Sequence, residues 1–386
     1  MFSMWNRKYR VMRARPLSVN LRLSDNPKDE ESIMNTFIKV KLCFTILLCC
    51  AGGLLAQLEA PPSEFGVPAS EFERVGQAGW QFLKIPASAR QAAVAGVKSG
   101  LGSASATTVF NNPAEMVLAS GTQLSFTDNS WFADIHNQAF AVSRSFGAIG
   151  TFGVGINYVD YGDMIRTDIS QMPSPNPDVT GTEYVDKLIS EGLGSFSAND
   201  MALGLSYARQ VTDRLSFGST VRYLRSKIDD LTMDNFSLDV GTTFHTGIKS
   251  LRIAMLARNF GPDSRFFDFN EKVNRNPTNI KLPTQFRFSM AYDLLERVEG
   301  SPHLLTMVVE GLHANDGPEK WNTGAEYTFM SLLSLRGGYR FNYDEEGLTL
   351  GAGINVNMGM DFSVDYAYLD FGRLEEVHMF SLNLGL

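Results

Sequence analysis

The stretch "LTLGAGINVNMGMDFSVDYAY", residues 348–368, alternates between apolar and polar positions in two consecutive halves. Large apolar side chains recur at every second position in both halves, and mostly small or polar residues such as Thr349, Asn355 and Asp365 stand between them. This period of two predicts β-strands with one apolar and one polar face. Each half is about ten residues long, the length of a tilted strand that crosses a bilayer.

The same alternation continues through the chain from about residue 120. Fourteen segments follow the pattern, and an even number is typical of bacterial outer-membrane barrels. We place the segments at 121–127, 137–146, 149–160, 199–210, 214–227, 235–246, 249–258, 283–294, 302–312, 319–330, 332–343, 346–357, 359–370 and 376–386. The sequence therefore predicts an all-β fold, a 14-stranded antiparallel transmembrane β-barrel.

The lengths of the connections between these segments are separate evidence for a membrane barrel. Outer-membrane barrels have short periplasmic turns and longer external loops. If the first strand starts in the periplasm, the even-to-odd connections are all short, and the long stretches 161–198 and 259–282 fall on the external side. The final segment, "MFSLNLGL" (379–386), is expected to pair with the first strand, which leaves no exposed sheet edge.

A soluble β-sandwich or a lipocalin-like barrel also alternates and remains the structural alternative. Fourteen strands with one apolar and one small or polar face offer little polar outer surface for water, so we favour lipid as the partner of the apolar face. The formal charge of −8 excludes a typical nucleic-acid binder, which needs a basic surface. We expect the protein in the bacterial outer membrane, with membrane lipid as a partner.

The residues before the barrel divide into four parts. Residues 1–33 are interpreted as a mis-called start or a disordered extension, and 34–56 as a signal peptide whose apolar core is too short for a spanning helix. Residues 57–75 resemble a linker. Residues 76–120, rich in small side chains, are predicted to fold into the lumen as a plug, with a short helix near 87–97.

Catalytic and cofactor sites are not indicated. The five histidines, at positions 136, 245, 303, 313 and 378, have no metal-binding spacing, and the serine-hydrolase elbow motif is missing. We expect neither an enzyme nor a cofactor. Charged residues on the polar face of neighbouring strands are expected to pair inside the lumen, with a polar permeation path as the alternative. These residues are Arg336, Arg340, Asp361 and Asp365.

Several motifs in order resemble the PorV/PorQ family of outer-membrane proteins, which is similar to FadL-type barrels. The motifs are "GWQFLKIPASARQAAVAG" (79–96), "VFNNPAEM" (109–116) and "FSANDMALGLSYARQVTDRLSFGSTVRYLRSKI" (196–228). The resemblance runs from about Gly76 to the C-terminus. It implies a fourteen-stranded barrel, a plug motif at Asn111, Asn112 and Pro113, and a role in type IX secretion with secretion components and exported cargo proteins as partners. Pro86 and Glu115 stand where relatives commonly have glycine.

Two functions from different classes follow. In the first, the long external loops bind partner proteins of type IX secretion and surface attachment, and Phe266, Phe267 and Phe269 form an aromatic docking patch. The alternative for these phenylalanines is packing against the barrel's own rim. The second function is transport of small hydrophobic molecules, as a FadL-like barrel would perform, with the plug opening a lateral route.

Overall fold

A computed structural model describes residues 76, 78–166, 194–265, 279–295 and 302–386. The expected extension, signal peptide and linker lie outside the described residues, as does the aromatic patch of Phe266, Phe267 and Phe269. No helix in the described ranges is long and apolar enough to cross a membrane.

Fourteen β-strands make up most of the described chain. They are β1 (Thr122–Ser130), β2 (His136–Ser145), β3 (Thr151–Ile165), β4 (Ser195–Gln210), β5 (Leu215–Ile228), β6 (Leu231–His245), β7 (Arg252–Phe260), β8 (Gln285–Leu295), β9 (His303–Ala314), β10 (Lys320–Phe329), β11 (Leu333–Phe341), β12 (Leu348–Asn357), β13 (Asp361–Asp370) and β14 (Glu376–Gly385). The short helix α1 spans Ala89–Ala92, and 3-10 helices span Gln81–Lys84, Ala106–Phe110, Pro113–Leu118, Gly147–Ile149 and Gly372–Leu374.

The strands form one closed antiparallel barrel in which each strand pairs with its sequence neighbours. β14 closes the sheet on β1, with Leu384 opposite Leu124 and Leu382 opposite Phe126. Closure leaves neither terminal strand with an unpaired edge, which is a requirement for a sheet inside hydrocarbon. The predicted fold class and strand number are confirmed.

Apolar side chains cover the outside of the barrel. Along β3, Phe152, Val154, Ile156 and Tyr158 are exposed, while the residues between them are buried. Leu205 on β4 is 63% exposed. An outer surface of this composition is stable only against lipid, and closed barrels of this kind belong to bacterial outer membranes. The protein is therefore an outer-membrane β-barrel.

The predicted strand boundaries differ from the structure mainly in β3 to β6. Those strands have 15, 16, 14 and 15 residues, which is longer than a bilayer crossing needs. The pairing of β3 with β4 continues past an irregularity between Asp160 and Asp163. The external loop predicted at 161–198 therefore begins after Ile165 and ends before Ser195.

The connections follow the predicted parity. Short turns such as 211–214, 330–332 and 358–360 lie at the end where β1 begins, and the two long connections, 166–194 and 261–284, lie at the opposite end. By the rule for outer-membrane barrels, the short-turn end faces the periplasm and the other end faces outside. We call these the periplasmic end and the external end.

Candidate functional site

Residues 79–119, which we call the N-terminal segment, lie inside the barrel. At the external end the amide of Gly79 donates to the Lys281 carbonyl (3.0 Å), and Trp80 Nε1 donates to Ser264 Oγ (3.0 Å). At its other terminus the segment leads into β1 at the periplasmic end. It therefore runs the length of the lumen, and its predicted action as a plug stays a prediction.

An apolar cluster anchors the segment near the external end. Trp80, Phe82 and Leu83 pack with side chains from the barrel wall and from the connection that precedes β8. The wall residues of this cluster are Val159, Ala202, Leu224 and Met233, and Leu282 is its member from the connection. Burial of several large side chains, at about 1.5–3 kcal/mol each, favours the bound position of the segment.

Inward-facing glycines let the segment approach the wall closely. A Cβ atom on Gly338 would lie 2.6 Å from the Ala95 nitrogen, and one on Gly324 would lie 2.9 Å from the Val94 Cβ. Real Cβ atoms do not come this close to their neighbours. Glycine at both positions therefore makes room for the backbone at 94–95.

The structure places the Asn-Pro element, which the resemblance assigns to a plug, against β5 and β6. Asn112 Oδ1 accepts a hydrogen bond from the Ala114 amide (3.0 Å) and so caps the 3-10 helix that begins at Pro113. Its Nδ2 donates to Thr243 Oγ1 (3.3 Å). Asn111 is buried, and its Nδ2 donates to the Thr107 carbonyl (2.8 Å) and to Gln91.

A chain of buried ion pairs crosses from the segment to the wall. Arg90 of α1 donates to Glu326 on β10 (2.7 Å), and Arg336 on β11 donates to the same carboxylate (2.6 Å). Arg336 also donates to Asp365 on β13 (2.7 Å), and Asp365 accepts from Asn383 on β14 (3.1 Å). In such a series each charged side chain is hydrogen-bonded to an opposite charge, which fixes its position inside the barrel.

The other two lumen residues expected from the sequence have different partners. Arg340 is buried, pairs with Glu346 and donates to the Ala95 carbonyl (3.2 Å). Asp361 is exposed at the periplasmic end, and its hydrogen bond is with Asn357 on the neighbouring strand. The four residues are therefore not one cluster.

Further buried charges were missed by the sequence analysis. On β5 to β7, Asp239 lies between Arg222 (2.5 Å) and Arg258 (3.1 Å). On β8 and β9, Glu310 pairs with Arg287 (2.5 Å). These charged residues could have been found from the sequence, because they lie on the polar face of alternating strands. A charge buried on that face requires a partner.

A polar interior cavity lies at the periplasmic end, with a volume of about 760 Å³. Its lining includes the ion-paired Arg90, Glu326 and Arg336, together with Arg252, whose guanidinium donates to Asp293 (2.8 Å). Charged and hydroxyl-bearing walls hold water rather than an apolar ligand. Among the described residues, no group of three or more acidic, histidine or cysteine side chains is placed to hold a metal.

An apolar groove lies on the outer wall across β6 to β10, with a volume of about 580 Å³. Its floor contains the small residues Ala257 and Gly311, and large side chains surround it. The large side chains include Val240, Met255, Phe286, Phe288 and Trp321. The groove faces lipid, and its lining also includes the charged residues Arg287, Glu319 and Lys320.

Salt bridges also link the external connections to each other. Arg373 Nε, between β13 and β14, donates to Glu345 Oε1 (2.8 Å), between β11 and β12. Hydrogen bonding to Arg373 lowers the pKa of the Glu345 carboxyl. The pair is solvated and lies outside the membrane span, so it orders two turns rather than stabilising the barrel core.

Comparison with known proteins gives similar structures but no sequence family. No protein-family model matches the chain, and no curated protein sequence is similar to it. The toluene transporter TodX of Pseudomonas putida is 10% identical, with a TM-score of 0.47 over 78% of this chain and 98% of that one. The toluene transporter TbuX of Ralstonia pickettii is 12% identical, with a TM-score of 0.45 over 76% and 96%.

A FadL homologue of Pseudomonas aeruginosa is 11% identical, with a TM-score of 0.44 over 78% of this chain and 98% of that one. Scores below 0.5 carry no argument about function, and the architecture of this chain rests on its own strand pairing. None of the three is a PorV or PorQ protein by name. The resemblance to that family stays a prediction.

Proposed function

We propose that this barrel is a non-enzymatic interaction protein that binds partner proteins at its external end, as a component of type IX secretion and surface attachment. The observation that supports the proposal is the position of the N-terminal segment inside the barrel. The N-terminal segment packs against glycines that leave no room for a Cβ, and its Arg90 is tied into buried ion pairs. A barrel occupied in this way presents its external connections as the accessible surface.

The assignment to type IX secretion is supported by the ordered sequence motifs from Gly76 onward, which resemble PorV/PorQ proteins. Both long connections lie at one end, where partners would gather. Long connections in compact folds are usually functional or disordered. The docking role of Phe266, Phe267 and Phe269 is part of this proposal.

The test is affinity purification of the tagged protein from native membranes, after residues 266–278 are replaced by a short Gly-Ser linker. The cut is feasible because the Ser264 and Ile280 backbones exchange hydrogen bonds of 2.9 and 2.7 Å, which hold the two ends of the connection together. We expect loss of the secretion partners while the barrel stays folded. A matched variant shortens the other long connection at 167–193. The ends of that connection are held together by a hydrogen bond from the Arg166 amide to the Gly194 carbonyl (3.1 Å).

A second candidate is the movement of small hydrophobic molecules across the outer membrane. The specific observation in its favour is the apolar groove beside Ala257 and Gly311, on a part of the wall where the pairing of β6 with β7 is irregular. Two of the structures similar to this chain are named toluene transporters.

One pair of measurements separates the two candidates. If the first is right, deleting the gene abolishes surface attachment of exported proteins and leaves uptake of a hydrophobic probe such as toluene unchanged. If the second is right, uptake falls and partner recovery is the same with either connection shortened. That second outcome would overturn the proposed function.

A further inference from the structure

A second, much smaller cavity lies between the N-terminal segment and the wall. Its volume is about 20 Å³, enough for one water-sized or slightly larger group. Four polar side chains line it, and the rest of its described lining is apolar or glycine. These polar residues are Lys98 from the segment, Asn157 on β3, Arg222 on β5 and Arg258 on β7.

Lys98 is the unusual member of this set. Its side chain is 97% buried, at 3% exposure, and its ammonium has no hydrogen bond or ion pair with any residue that the structure describes. The hydrogen bond to Glu310 comes from the Lys98 backbone amide (3.0 Å), not from the side chain. A buried ammonium without a counter-charge is strongly unfavourable in a low-dielectric interior.

The neighbouring carboxylates are already engaged. Asp239 accepts hydrogen bonds from both Arg222 and Arg258, and Glu310 accepts from Arg287. Three buried guanidiniums (Arg222, Arg258 and Arg287) therefore share two carboxylates, which leaves an excess of one positive charge near the cavity before Lys98 is counted.

The cavity offers hydrogen-bond donors and no acidic group. Asn157 uses its amide oxygen to accept from Asn137 Nδ2 (2.7 Å), so its own NH₂ group remains as a donor. Lysine and arginine side chains have donors only. No described lining residue is acidic, so an anion would meet donors from the segment and from the wall.

We propose that this cavity binds one small monovalent inorganic anion, of the size of chloride, and that the anion joins the N-terminal segment to the barrel wall. The anion supplies the missing counter-charge for Lys98 and for the shared pair of arginines. A water molecule fits the same volume but does not compensate the charge. The inference does not depend on which partner or substrate the barrel has.

The test is thermal unfolding of the full mature chain in detergent at constant ionic strength, with chloride replaced stepwise by gluconate, which is too large for the cavity. We expect the unfolding temperature to rise with chloride and to saturate. In Lys98→Met the chloride dependence should weaken, because one donor to the anion is removed while the excess charge of the two arginines on Asp239 stays. Lys227→Met, at an exposed position on β5, is the matched control and should keep it.

A crystal grown in bromide gives a readout that does not need a variant. We expect an anomalous bromide peak between Lys98, Arg222 and Arg258. A wild-type unfolding temperature that is the same in chloride and gluconate, or a water at this position in bromide crystals, would overturn the proposal. If Lys98→Met does not fold, the bromide experiment on the wild-type chain decides alone.

Discussion

At the residue scale, side-chain size on the inner face determines where the N-terminal segment can lie. Gly337 and Gly338 are adjacent on β11 but face opposite ways. A Cβ on Gly338 would lie 2.6 Å from the Ala95 nitrogen, whereas one on Gly337 would lie 3.7 Å from Leu350 Cδ2, an ordinary contact. A substitution at Gly338 therefore tests the packing of the segment, whereas the same substitution at Gly337 tests whether the strand accepts a larger residue.

We predict that Gly338→Ala destabilises the folded barrel by about 1–3 kcal/mol, the usual cost of overpacking. The added methyl group pushes against the backbone of Ala95. Gly337→Ala should have little effect. Urea unfolding of both variants in lipid vesicles measures the difference, and equal stability of the two would contradict the close approach of the segment.

A second residue-scale prediction concerns Glu326, which accepts from Arg90 and Arg336. Removing the charge leaves the buried Arg336 and the partly buried Arg90 without their shared carboxylate, so we expect Glu326→Gln to cost about 3–5 kcal/mol. Glu345→Gln removes the half-buried partner of the exposed Arg373 and should change stability very little. Similar losses from both variants would count against a buried network.

At the element scale, each strand is a boundary between lipid and lumen. On β13, Val364 faces outward beside Ile354 and Leu382, while Ser363 lines the polar cavity. A change of one position along the strand therefore changes the environment from hydrocarbon to water. This is why a period of two in the sequence was enough to identify the strands.

Arginine substitution tests these faces directly. We predict that Val364→Arg costs about 2–4 kcal/mol because the guanidinium meets the bilayer. Ser363→Arg should be tolerated better, since its side chain enters a polar cavity. Folding of both variants into vesicles, measured by denaturant titration, gives the comparison, and equal costs would show that the faces are wrongly assigned.

The elements that sequence reasoning predicted least well are those without periodicity. The helix expected near 87–97 is only Ala89–Ala92, because Ala95 and Gly96 adopt left-handed conformations and the chain turns into the close contact with β10 and β11. The ion-pair partners of Arg336 were also only partly predictable. Pairing with Glu326 depends on strand register, and the contribution of Arg90 depends on where the segment lies.

At the scale of the whole molecule, the closure of the barrel and the alternation of short and long connections define its orientation in the membrane. The chain enters β1 and leaves β14 at the same end, and the connections of 24 and 29 residues both lie at the other. This arrangement was readable from the sequence, because strand number and connection length are local properties. The sequence also predicted that residues 76–120 enter the lumen, but not which wall residues they contact, because those contacts join residues that are far apart in the chain.

Orientation is testable in cells, since the three cysteines of the chain all lie within the predicted signal peptide. We predict that Gly317→Cys, in the external connection between β9 and β10, reacts with a membrane-impermeant maleimide on intact cells. Asp213→Cys, in a periplasmic turn, should react only after permeabilisation. The reverse labelling pattern would show that the barrel has the opposite orientation.

Lipid is expected to contact every second side chain of the membrane-spanning strands. Spin labels placed singly along β12, from Leu348 to Asn357, measure it through collision with oxygen and with a water-soluble nickel complex. We predict that collisions with oxygen peak at the outward positions 350 and 354 and fall at the inward positions 349 and 355. Uniform accessibility along the strand, or high access to nickel at positions 350 and 354, would contradict the account.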